Sequence, residues 1–498
     1  MKRAIHLCLV LGTCYFFILT PLQAQTVSWP QFRGINSSGV ANENQDAPVN
    51  FASDEHTLWN TALSKGCSSP CIWDNRIFLT GFDEEAEQFH MYCINRTNGS
   101  ILWDQNLQTE KVEKVHRVSY PANATPVTDG ERVIFYLSSY GLLCYDLDGE
   151  KQWEMQMPVP KSRHGMGTSP VIAGDLLILN CFGHLNDPCL LAIDKFQGEI
   201  VWKHVWAPGD DMWVDSYSTP VVYDDQVIIY RSADISSFDV KTGDQNWWYL
   251  TGSEDAVCTP VIGKDMLYVT VFSTFGNRAA RAQFPDFIDL ASDRDKNEDQ
   301  MISKEELGDF QFMVYPEKGV EVSGIVIAAN WFGWYDKNRD SYIDSTEWNS
   351  FIDLCESDYL KQGIKAIRLD GQGDITFSHF VWGASDYVPH VTSPLFYRDR
   401  VYMIKSGGIL SCFQAEDGAL LYSERIGAAG SYFASPIAVN GKIYFTSRDG
   451  IITILEDGED LNILARNDLE EIISATPAIV DNKIYVRTDS TLYAFGIK

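Results

Sequence analysis

The feature that most constrains this chain is a Ser/Thr-Pro dipeptide, followed by a β-rich run, that recurs eight times. The prolines of the eight copies are Pro70, Pro126, Pro170, Pro220, Pro260, Pro394, Pro436 and Pro477. Most copies are 40 to 56 residues apart, whereas 134 residues separate Pro260 from Pro394. A period near forty residues is typical of β-propeller blades. The long interval predicts an insertion in the fifth copy.

The third copy shows four predicted strands separated by Gly- and Asp-containing turns. They cover residues 169–173, 176–181, 190–194 and 199–204. The second run is almost continuously apolar, as expected for a strand that is buried on both faces. The last copy holds only three strands, and residues 56–62, with Leu58 and Trp59, supply a candidate fourth. We therefore predict an all-β, eight-bladed propeller of four-stranded blades, closed by the N-terminal strand.

The N-terminus has the composition of a signal peptide over residues 1–24. Lys2 and Arg3 precede an apolar run from Leu7 to Thr20, and Leu22-Gln23-Ala24 offers a cleavage site before Gln25. A lipoprotein anchor on Cys14 is the weaker alternative. The remaining chain shows no apolar run long enough to span a bilayer. These features predict an exported protein, periplasmic or secreted, with no transmembrane segment in the mature chain.

The net charge limits the classes of partner that the chain can bind, and the cysteine content limits which disulfides it can form. The chain has 68 Asp and Glu against 39 Lys and Arg, a net charge of −29 that disfavours nucleic acid and anionic membranes as partners. An unidentified envelope protein or extracellular ligand is the expected partner. Export permits disulfides. Two local pairs, Cys67 with Cys71 and Cys181 with Cys189, are candidates for them.

Two acidic twelve-residue windows lie in the predicted insertion, which we place at residues 276–363 between propeller segments 25–275 and 364–498. An EF-hand loop binds calcium through oxygens at positions 1, 3, 5, 7, 9 and 12. The first window supplies Asp295, Asn297, Asp299, the Met301 carbonyl, Ser303 and Glu306. The second supplies Asp336, Asn338, Asp340, the Tyr342 carbonyl, Asp344 and Glu347. Aromatic and aliphatic residues flank both windows at helical spacing. Two windows in matching register predict a small α-helical, EF-hand-like insertion that binds calcium.

Both windows depart from the motif at loop position 6, which normally holds glycine. Gln300 and Ser341 stand there, so each must adopt a positive φ or shift the turn. We therefore expect weak, structural calcium binding, with a dissociation constant on the order of 10⁻⁴ M.

The repeat resembles that of the quinoprotein (PQQ-type) propellers. The resemblance rests on the Ser/Thr-Pro starts and on the small-x-Asp-x-x-x-Gly-x-x-x-Trp ends, as from Ala192 to Trp202 and from Ser237 to Trp247. Trp29-Pro30-Gln31-Phe32-Arg33-Gly34 and residues 167–202 are similar to exported propellers of the same class. The superfamily includes quinoprotein alcohol dehydrogenases and an outer-membrane assembly lipoprotein, so the resemblance implies the fold and leaves the function open.

In a propeller, the loops that enter the first strand of each blade gather near the axis, where a ligand or substrate can bind. Here these loops carry His116, Arg117, Tyr120, Arg163, His164, Asp215, Tyr217, Glu254, Asp255, Asp386, His390 and Tyr432. A quinone enzyme needs a base, such as Asp215 or Asp386, and calcium with side-chain oxygen ligands. The alcohol-oxidising relatives also carry adjacent cysteines, and the chain has no Cys-Cys.

Three functions fit these observations, and no catalytic or cofactor-binding residue is assigned. The favoured hypothesis is a non-catalytic binding or scaffold protein of the periplasm or cell envelope. The first alternative is a quinone-dependent oxidoreductase acting on alcohols or sugars, although PQQ is not the favoured cofactor. The second is a glycan-active hydrolase or lyase that uses the axial pocket.

Overall fold

The computed structural model contains eight four-stranded antiparallel sheets arranged as the blades of a propeller. It describes residues 28–52, 55–160, 162, 164–182, 188–206, 215–232, 234–251, 253, 255–272, 284–314, 324–336, 338, 340–356, 362–386 and 388–496. In blades one to seven the four strands pair in sequence order from the axis outward, whereas in blade eight the outermost strand comes from the N-terminal part of the chain. The predicted all-β, eight-bladed propeller of four-stranded blades is confirmed. The proposed signal peptide lies outside the described residues.

The strands of blades one to four, innermost first, have the following bounds. Blade one contains Cys71–Trp73, Arg76–Asp83, Gln88–Asn95 and Ile101–Gln108; blade two contains Val127–Thr128, Arg132–Leu137, Gly141–Asp146 and Lys151–Gln156. Blade three contains Val171–Ala173, Leu176–Cys181, Cys189–Asp194 and Ile200–Val205; blade four contains Val221–Tyr223, Gln226–Tyr230, Asp234–Asp239 and Gln245–Leu250.

Blades five to eight follow the same plan. Blade five contains Val261–Gly263, Met266–Val271, Gly363–Arg368 and Phe380–Ala384; blade six contains Leu395–Tyr397, Arg400–Lys405, Ile409–Gln414 and Leu420–Arg425. Blade seven contains Ile437–Val439, Lys442–Thr446, Ile451–Glu456 and Asn462–Asp468; blade eight contains Ala478–Val480, Lys483–Arg487, Thr491–Gly496 and the N-terminal Thr57–Ala62. Gly373–Asp374 adds a fifth, parallel strand to blade four.

The Ser/Thr of each repeat dipeptide forms a closed ring of hydrogen bonds around the axis, here called the hydroxyl ring. The N–H of each member donates to the side-chain hydroxyl of the next, at 2.9 to 3.3 Å. In order, its members are Ser69, Thr125, Ser169, Thr219, Thr259, Ser393, Ser435 and Thr476, and the last donates to the first. The following proline holds each member in extended backbone. One position of the repeat, occupied by Ser or Thr in every copy, therefore links all eight blades.

Apolar side chains fill the space between neighbouring blades and form the core. Tryptophan on the outer strand of one blade covers a turn glycine of the next. Trp153 is representative: its Nε1 donates to the Lys195 carbonyl (2.9 Å), and a Cβ on Gly198 would lie 2.6 Å from its ring. The same contact joins Trp59 to Gly99, Trp103 to Gly149, Trp202 to Gly243 and Trp382 to Gly418.

The eighth blade is completed by the strand that the sequence placed there. Thr57–Ala62 pairs antiparallel with Thr491–Gly496, and Trp59 lies opposite Ala494. Trp59 then contacts Gly99 of blade one, so the same strand closes the sheet and packs on the next blade. A strand from the N-terminal part of the chain and the last described strand thus belong to one sheet.

Residues 28–41, here called the N-terminal segment, cross the axis. Ser28–Trp29 pairs with the inner strand of blade one, and the Ala41 N–H donates to the Ala438 carbonyl of blade seven (2.8 Å). Between them, a short 3₁₀ turn at Ile35–Ser37 contacts blade four. Arg33 is fully buried in this segment and donates through Nη2 to the Pro394 carbonyl of blade six (2.8 Å). The segment therefore touches blades on several sides of the axis.

The insertion leaves blade five after Val271 and returns at Gly363, between two strands that pair directly. Its helices are α1 (Phe287–Arg294), α2 (Lys304–Leu307), α3 (Phe332–Tyr335) and α4 (Ser345–Glu356), preceded at α3 by the 3₁₀ turn Ala328–Trp331. A hairpin pairs Gln311–Val314 with Gly324–Ile327. The helices enclose a separate apolar cluster that includes Leu290, Tyr335 and Trp348.

Neither candidate cysteine pair forms a disulfide in the structure. The four cysteines of these pairs are all free thiols. Cys71 lies on the inner strand of blade one and its thiol contacts the Pro30 carbonyl (3.1 Å), so it is not joined to Cys67. Cys181 and Cys189 lie directly opposite each other on adjacent strands of blade three, also as thiols. Neither of the two candidate bridges is therefore present among these residues.

Because the hydroxyl ring satisfies buried backbone N–H groups, we predict that removing one hydroxyl lowers the free energy of unfolding. Thr125→Val keeps the side-chain shape but leaves the buried N–H of Ser69 without its acceptor. We expect a loss of about 1–3 kcal/mol in the free energy of unfolding. Thr125→Ser retains the hydroxyl and is the matched control. Urea denaturation followed by tryptophan fluorescence measures both; equal stability of the valine variant and the wild type would contradict a structural role for the ring.

Candidate functional site

A pocket of about 420 Å³ opens on the axis, directly above the hydroxyl ring. All eight members of the ring line it. Each ring hydroxyl already accepts a backbone hydrogen bond from the preceding blade, so its oxygen is fixed in position. The pocket wall is therefore built from the same atoms that join the blades. Its volume suits a small molecule.

The remaining lining is aromatic, imidazole and small. It includes Phe32, Cys67, His116, Asn123, His164, Tyr217, His390 and Phe433. Among the described lining residues there is no Asp, Glu, Lys or Arg. The described lining thus differs from the acidic chain as a whole, whose net charge is −29, and it suits a neutral ligand that forms hydrogen bonds or stacks on rings.

The structure brings four of the axial candidates together: His116, His164, Tyr217 and His390 all line the pocket. His164 is central, with its ring centroid 5.4 Å from that of His116 and 5.8 Å from that of Tyr217. The His116 N–H also donates to the His164 carbonyl (3.0 Å). His390 stacks on Phe272, with centroids 4.1 Å apart. Since Phe272 is the last described residue before the insertion, the insertion leaves the blade at the pocket rim.

The other axial candidates that the structure describes do not line the pocket. Tyr120 donates to Asp489 (2.7 Å), and Tyr432 is buried with its hydroxyl on the Ala428 carbonyl (2.9 Å). Arg117 and Asp386 are exposed and lie outside the lining. Asp215 and Asp255 begin two short strands that pair in parallel. Arg163 and Glu254 lie outside the described residues.

Several lining residues gave no functional signal in the sequence. Phe32 reaches the pocket because the N-terminal segment crosses the axis, a long-range contact that no local pattern encodes. Cys67 also lines the pocket, but burial raises the pKa of its thiol to about 12, an effect that Arg487 partly opposes. The thiol is therefore protonated at neutral pH and is a poor nucleophile.

The ring hydroxyls, in contrast, did have a signal in the sequence, because they recur at one position of every copy.

A buried carboxyl group lies behind the wall that carries His116 and His164. Glu113 is almost fully buried, hydrogen-bonds Ser138, and accepts from the Met166 N–H (3.3 Å). Burial raises the pKa of Glu113 to about 7, against the smaller opposing effects of those two hydrogen bonds. Its own N–H donates to Ser139 (3.0 Å), so the loop is anchored at this residue.

The predicted calcium loops share one backbone arrangement. Ile302–Ser303 of the first pairs antiparallel with Tyr342–Ile343 of the second, and the two isoleucines are directly opposite. At loop position 6, Gln300 has a φ of 66° and Ser341 a φ of 73°. Both residues thus take the left-handed conformation that glycine usually supplies. The turn itself is therefore not shifted by the missing glycines.

The acidic side chains of the two loops hold the loop backbones in equivalent ways. Asp295 accepts from the Gln300 N–H (2.8 Å), and Asp336 accepts from the Ser341 N–H (3.0 Å). Glu306 accepts from the Ser303 N–H (2.9 Å), and Glu347 accepts from that of Asp344 (3.2 Å). In the described part of the chain, no three His, Cys, Asp or Glu side chains are grouped closely enough to hold an ion as they stand.

Comparison with known proteins confirms the resemblance to quinoprotein-type propellers. Residues 51–274 match a family of this repeat described as outer membrane protein assembly factor BamB. BamB from Moraxella catarrhalis is similar in structure, with a TM-score of 0.51 and 13% identity, over 89% of this chain and 99% of BamB. No curated protein sequence matches significantly.

Two quinoprotein enzymes are similar to a comparable degree. A europium-containing methanol dehydrogenase has a TM-score of 0.55 and 10% identity, over 95% of this chain and 98% of the enzyme. The quinohemoprotein alcohol dehydrogenase ADHIIG from Pseudomonas putida HK5 has a TM-score of 0.51 and 12% identity, over 94% and 80%. At these identities the similarity establishes the fold alone. Within the described residues, no helix has the length and apolar character needed to cross a membrane.

The raised pKa of Glu113 predicts a pH dependence of stability. The folded chain holds this proton up to about pH 7, whereas the unfolded chain releases it near 4.5. Stability therefore falls as pH rises through this window, by at most roughly 3 kcal/mol. Glu113→Gln should remove this loss and be more stable than the wild type at pH 8, but not at pH 4.5.

Thermal unfolding of both proteins across pH 4 to 8 measures the difference. Asp386→Asn, which changes an exposed carboxylate, is the control and should follow the wild-type profile. A constant difference between Glu113→Gln and the wild type at all pH values would contradict the assignment.

Proposed function

We propose that this propeller of quinoprotein-type repeats is a non-catalytic binding or scaffold protein of the periplasm or cell envelope. The observation that carries the proposal is the chemistry of the axial pocket. Its described lining combines hydroxyls, imidazoles and aromatic rings with no carboxylate, amine or guanidinium. Such a surface can bind a small molecule or an inserted side chain through hydrogen bonds and stacking, and its described residues include no carboxylate to act as a catalytic base.

The same lining fits a quinone enzyme poorly. The quinone's calcium needs side-chain oxygens such as carboxylates, and the reaction needs a base beside the quinone. Asp386 is exposed outside the pocket, and the only cysteine of the lining is protonated. A glycan hydrolase would need a pair of carboxyl groups about the scissile bond, which the lining also lacks. These points support binding over either kind of catalysis.

A protein partner is part of the proposal. The family matched by residues 51–274 is described as an outer membrane assembly factor, and that role requires contact with other envelope proteins. The net charge of −29 favours a partner surface that is neutral or basic. Export, as proposed from residues 1–24, would place the chain in the same compartment.

Calcium bound to the insertion is proposed as a structural element at the pocket rim. The two loops offer oxygen donors at the six standard positions, and the positive φ at Gln300 and Ser341 gives both loops the required turn. The paired strands at Ile302 and Ile343 link the loops, so binding in one would order the other. Calcium would then stiffen the insertion that leaves the blade beside His390.

The proposal predicts that the purified protein does not form a catalytic quinone complex. Incubation with PQQ and calcium should give no protein-bound quinone band in the visible spectrum. It should also give no dye reduction with alcohols or sugars. The quinohemoprotein alcohol dehydrogenase named above serves as the positive control. A bound-quinone band together with alcohol-dependent dye reduction would overturn the non-catalytic assignment.

Calcium titration tests the insertion separately. We expect heat of binding and a higher melting temperature. With a dissociation constant on the order of 10⁻⁴ M, millimolar calcium stabilises the folded chain by about 1.4 kcal/mol per site. Glu306→Gln and Glu347→Gln should each weaken binding, because they remove a position-12 carboxylate.

Glu305→Gln is the matched control, since Glu305 is exposed and adjacent to Glu306 but is not a predicted ligand. The same heat from Glu305→Gln and from both position-12 variants, or no heat from the wild type, would rule out these loops as the calcium site.

A further inference from the structure

Two neighbouring loops form the part of the pocket wall that carries two of its histidines. Residues 113–119 carry His116 and residues 164–167 carry His164; together they are here called the histidine loops. The His116 N–H donates to the His164 carbonyl (3.0 Å). Gly165 packs so closely on the first loop that a Cβ at this position would lie 2.7 Å from one of its side chains. The two loops therefore hold each other in place.

The carboxyl group of Glu113 joins these loops to each other and to blade two. One of its oxygens accepts from the Ser138 hydroxyl and the other from the Met166 N–H (3.3 Å), while the Glu113 N–H donates to Ser139 Oγ (3.0 Å). Asn123, which lines the pocket, donates to the carbonyl of the same Met166 (3.3 Å). A single residue thus separates the Glu113 carboxyl from the pocket lining.

Glu113 has no cation beside it that would stabilise a negative charge. Its side chain is 5% exposed, and among the described residues two hydrogen bonds, from Ser138 and Met166, are all that offsets its burial. A buried carboxylate without a cation is unfavourable, whereas a neutral carboxyl group can donate to Ser138 Oγ and still accept from the Met166 N–H. Burial accordingly raises the pKa of Glu113 to about 7, and the two hydrogen bonds oppose this effect only in part.

The other titratable groups around Glu113 do not supply the missing charge. Burial raises the pKa of Tyr136 in blade two, and the thiols of Cys181 and Cys189 and the nearby Glu113 raise it further, so this phenol is neutral. Burial also keeps the Cys181 thiol protonated, because it raises its pKa well above the usual value. In the histidine loops and just before them, the charged or titratable side chains are exposed to solvent: Lys111, Lys114, His116, Arg117 and His164. Lys161 and Arg163 lie outside the described residues.

We propose that Glu113 is a pH-sensitive switch in the wall of the axial pocket. With its proton, the carboxyl group holds the histidine loops closed against blade two. Without the proton, the loops open so that the carboxylate reaches water. A ligand that needs the closed wall would therefore bind more tightly at acidic than at alkaline pH. Only this consequence rests on the binding function proposed above; the opening of the loops does not.

The direction of the pH dependence follows from the two states of the loops. In the open state the carboxyl group is in water and loses its proton near pH 4.5, whereas in the closed state it keeps the proton up to about pH 7. Opening therefore becomes easier as the pH rises through this window and changes no further above it. Over the window, the equilibrium constant for opening rises by at most roughly 300-fold.

Hydrogen exchange measured by mass spectrometry on the whole protein between pH 5 and 8.5 tests the proposal. After correction for the intrinsic exchange rate, amides of the histidine loops should lose protection as the pH rises, by up to the factor given above. The loop before blade seven, residues 426–434, should show no such loss. Glu113→Gln keeps the hydrogen-bonding groups but cannot ionise, so its histidine loops should stay protected at every pH.

Glu471→Gln is the matched control. Glu471 lies in the equivalent loop before blade eight and accepts from the hydroxyls of Thr488 (2.6 Å) and Tyr493, but it is only partly buried. This variant should keep the wild-type response of the histidine loops.

The wild-type measurement needs no variant to fold and no ligand to be known. Protection of the histidine loops that is independent of pH would overturn the proposal. So would protection that falls equally in all blades, because the carboxyl group would then act on global unfolding alone. The same pH response in Glu113→Gln and the wild type would overturn it as well. None of these outcomes depends on whether the pocket binds a ligand, so they test the switch separately from the proposed function.

Discussion

The structure depends on a closed circle of eight hydrogen bonds at the axis, in which the N–H of one blade donates to the hydroxyl of the next. Because the donor and the acceptor belong to the same Ser/Thr residue type at the same repeat position, each blade both gives and receives one bond. The circle closes only if the last blade reaches the first, as Thr476 does to Ser69. The same hydroxyls form the wall of the axial pocket, so architecture and binding surface share their atoms.

A second set of contacts acts at the outer edge. Outer-strand tryptophans donate to carbonyls of the next blade and cover its turn glycines, which sit at positive φ where no other residue fits. Trp59 makes this contact from the N-terminal strand, so the strand that completes blade eight also joins it to blade one. The hydrogen-bond ring at the axis and the tryptophan contacts at the outer edge are therefore both closed by residues from the N-terminal part of the chain. The N-terminal segment adds a third contact across the axis.

Acidic side chains are distributed unevenly between the axial pocket and the insertion. The chain is strongly acidic, yet the described lining of the axial pocket has no carboxylate, and one buried acid, Glu113, lies behind the wall with a pKa raised towards neutrality. No acidic group of the described lining would therefore repel an anionic part of a ligand. The insertion, in contrast, concentrates acidic side chains in two loops, where they hold the backbone through hydrogen bonds to its N–H groups.

The sequence by itself determined the eight blades, the closing strand at Trp59 and the two acidic loops, because each of these follows from a local pattern that repeats or pairs at fixed spacing. It also brought forward His116, His164, Tyr217 and His390 as pocket residues, since their loops precede a first strand. Only the tertiary structure decided which polar residues reach the axis, why Asp386 does not, and how Phe32 and Arg33 come to lie there. Those outcomes depend on contacts between residues hundreds of positions apart, and such contacts leave no periodic trace in the chain.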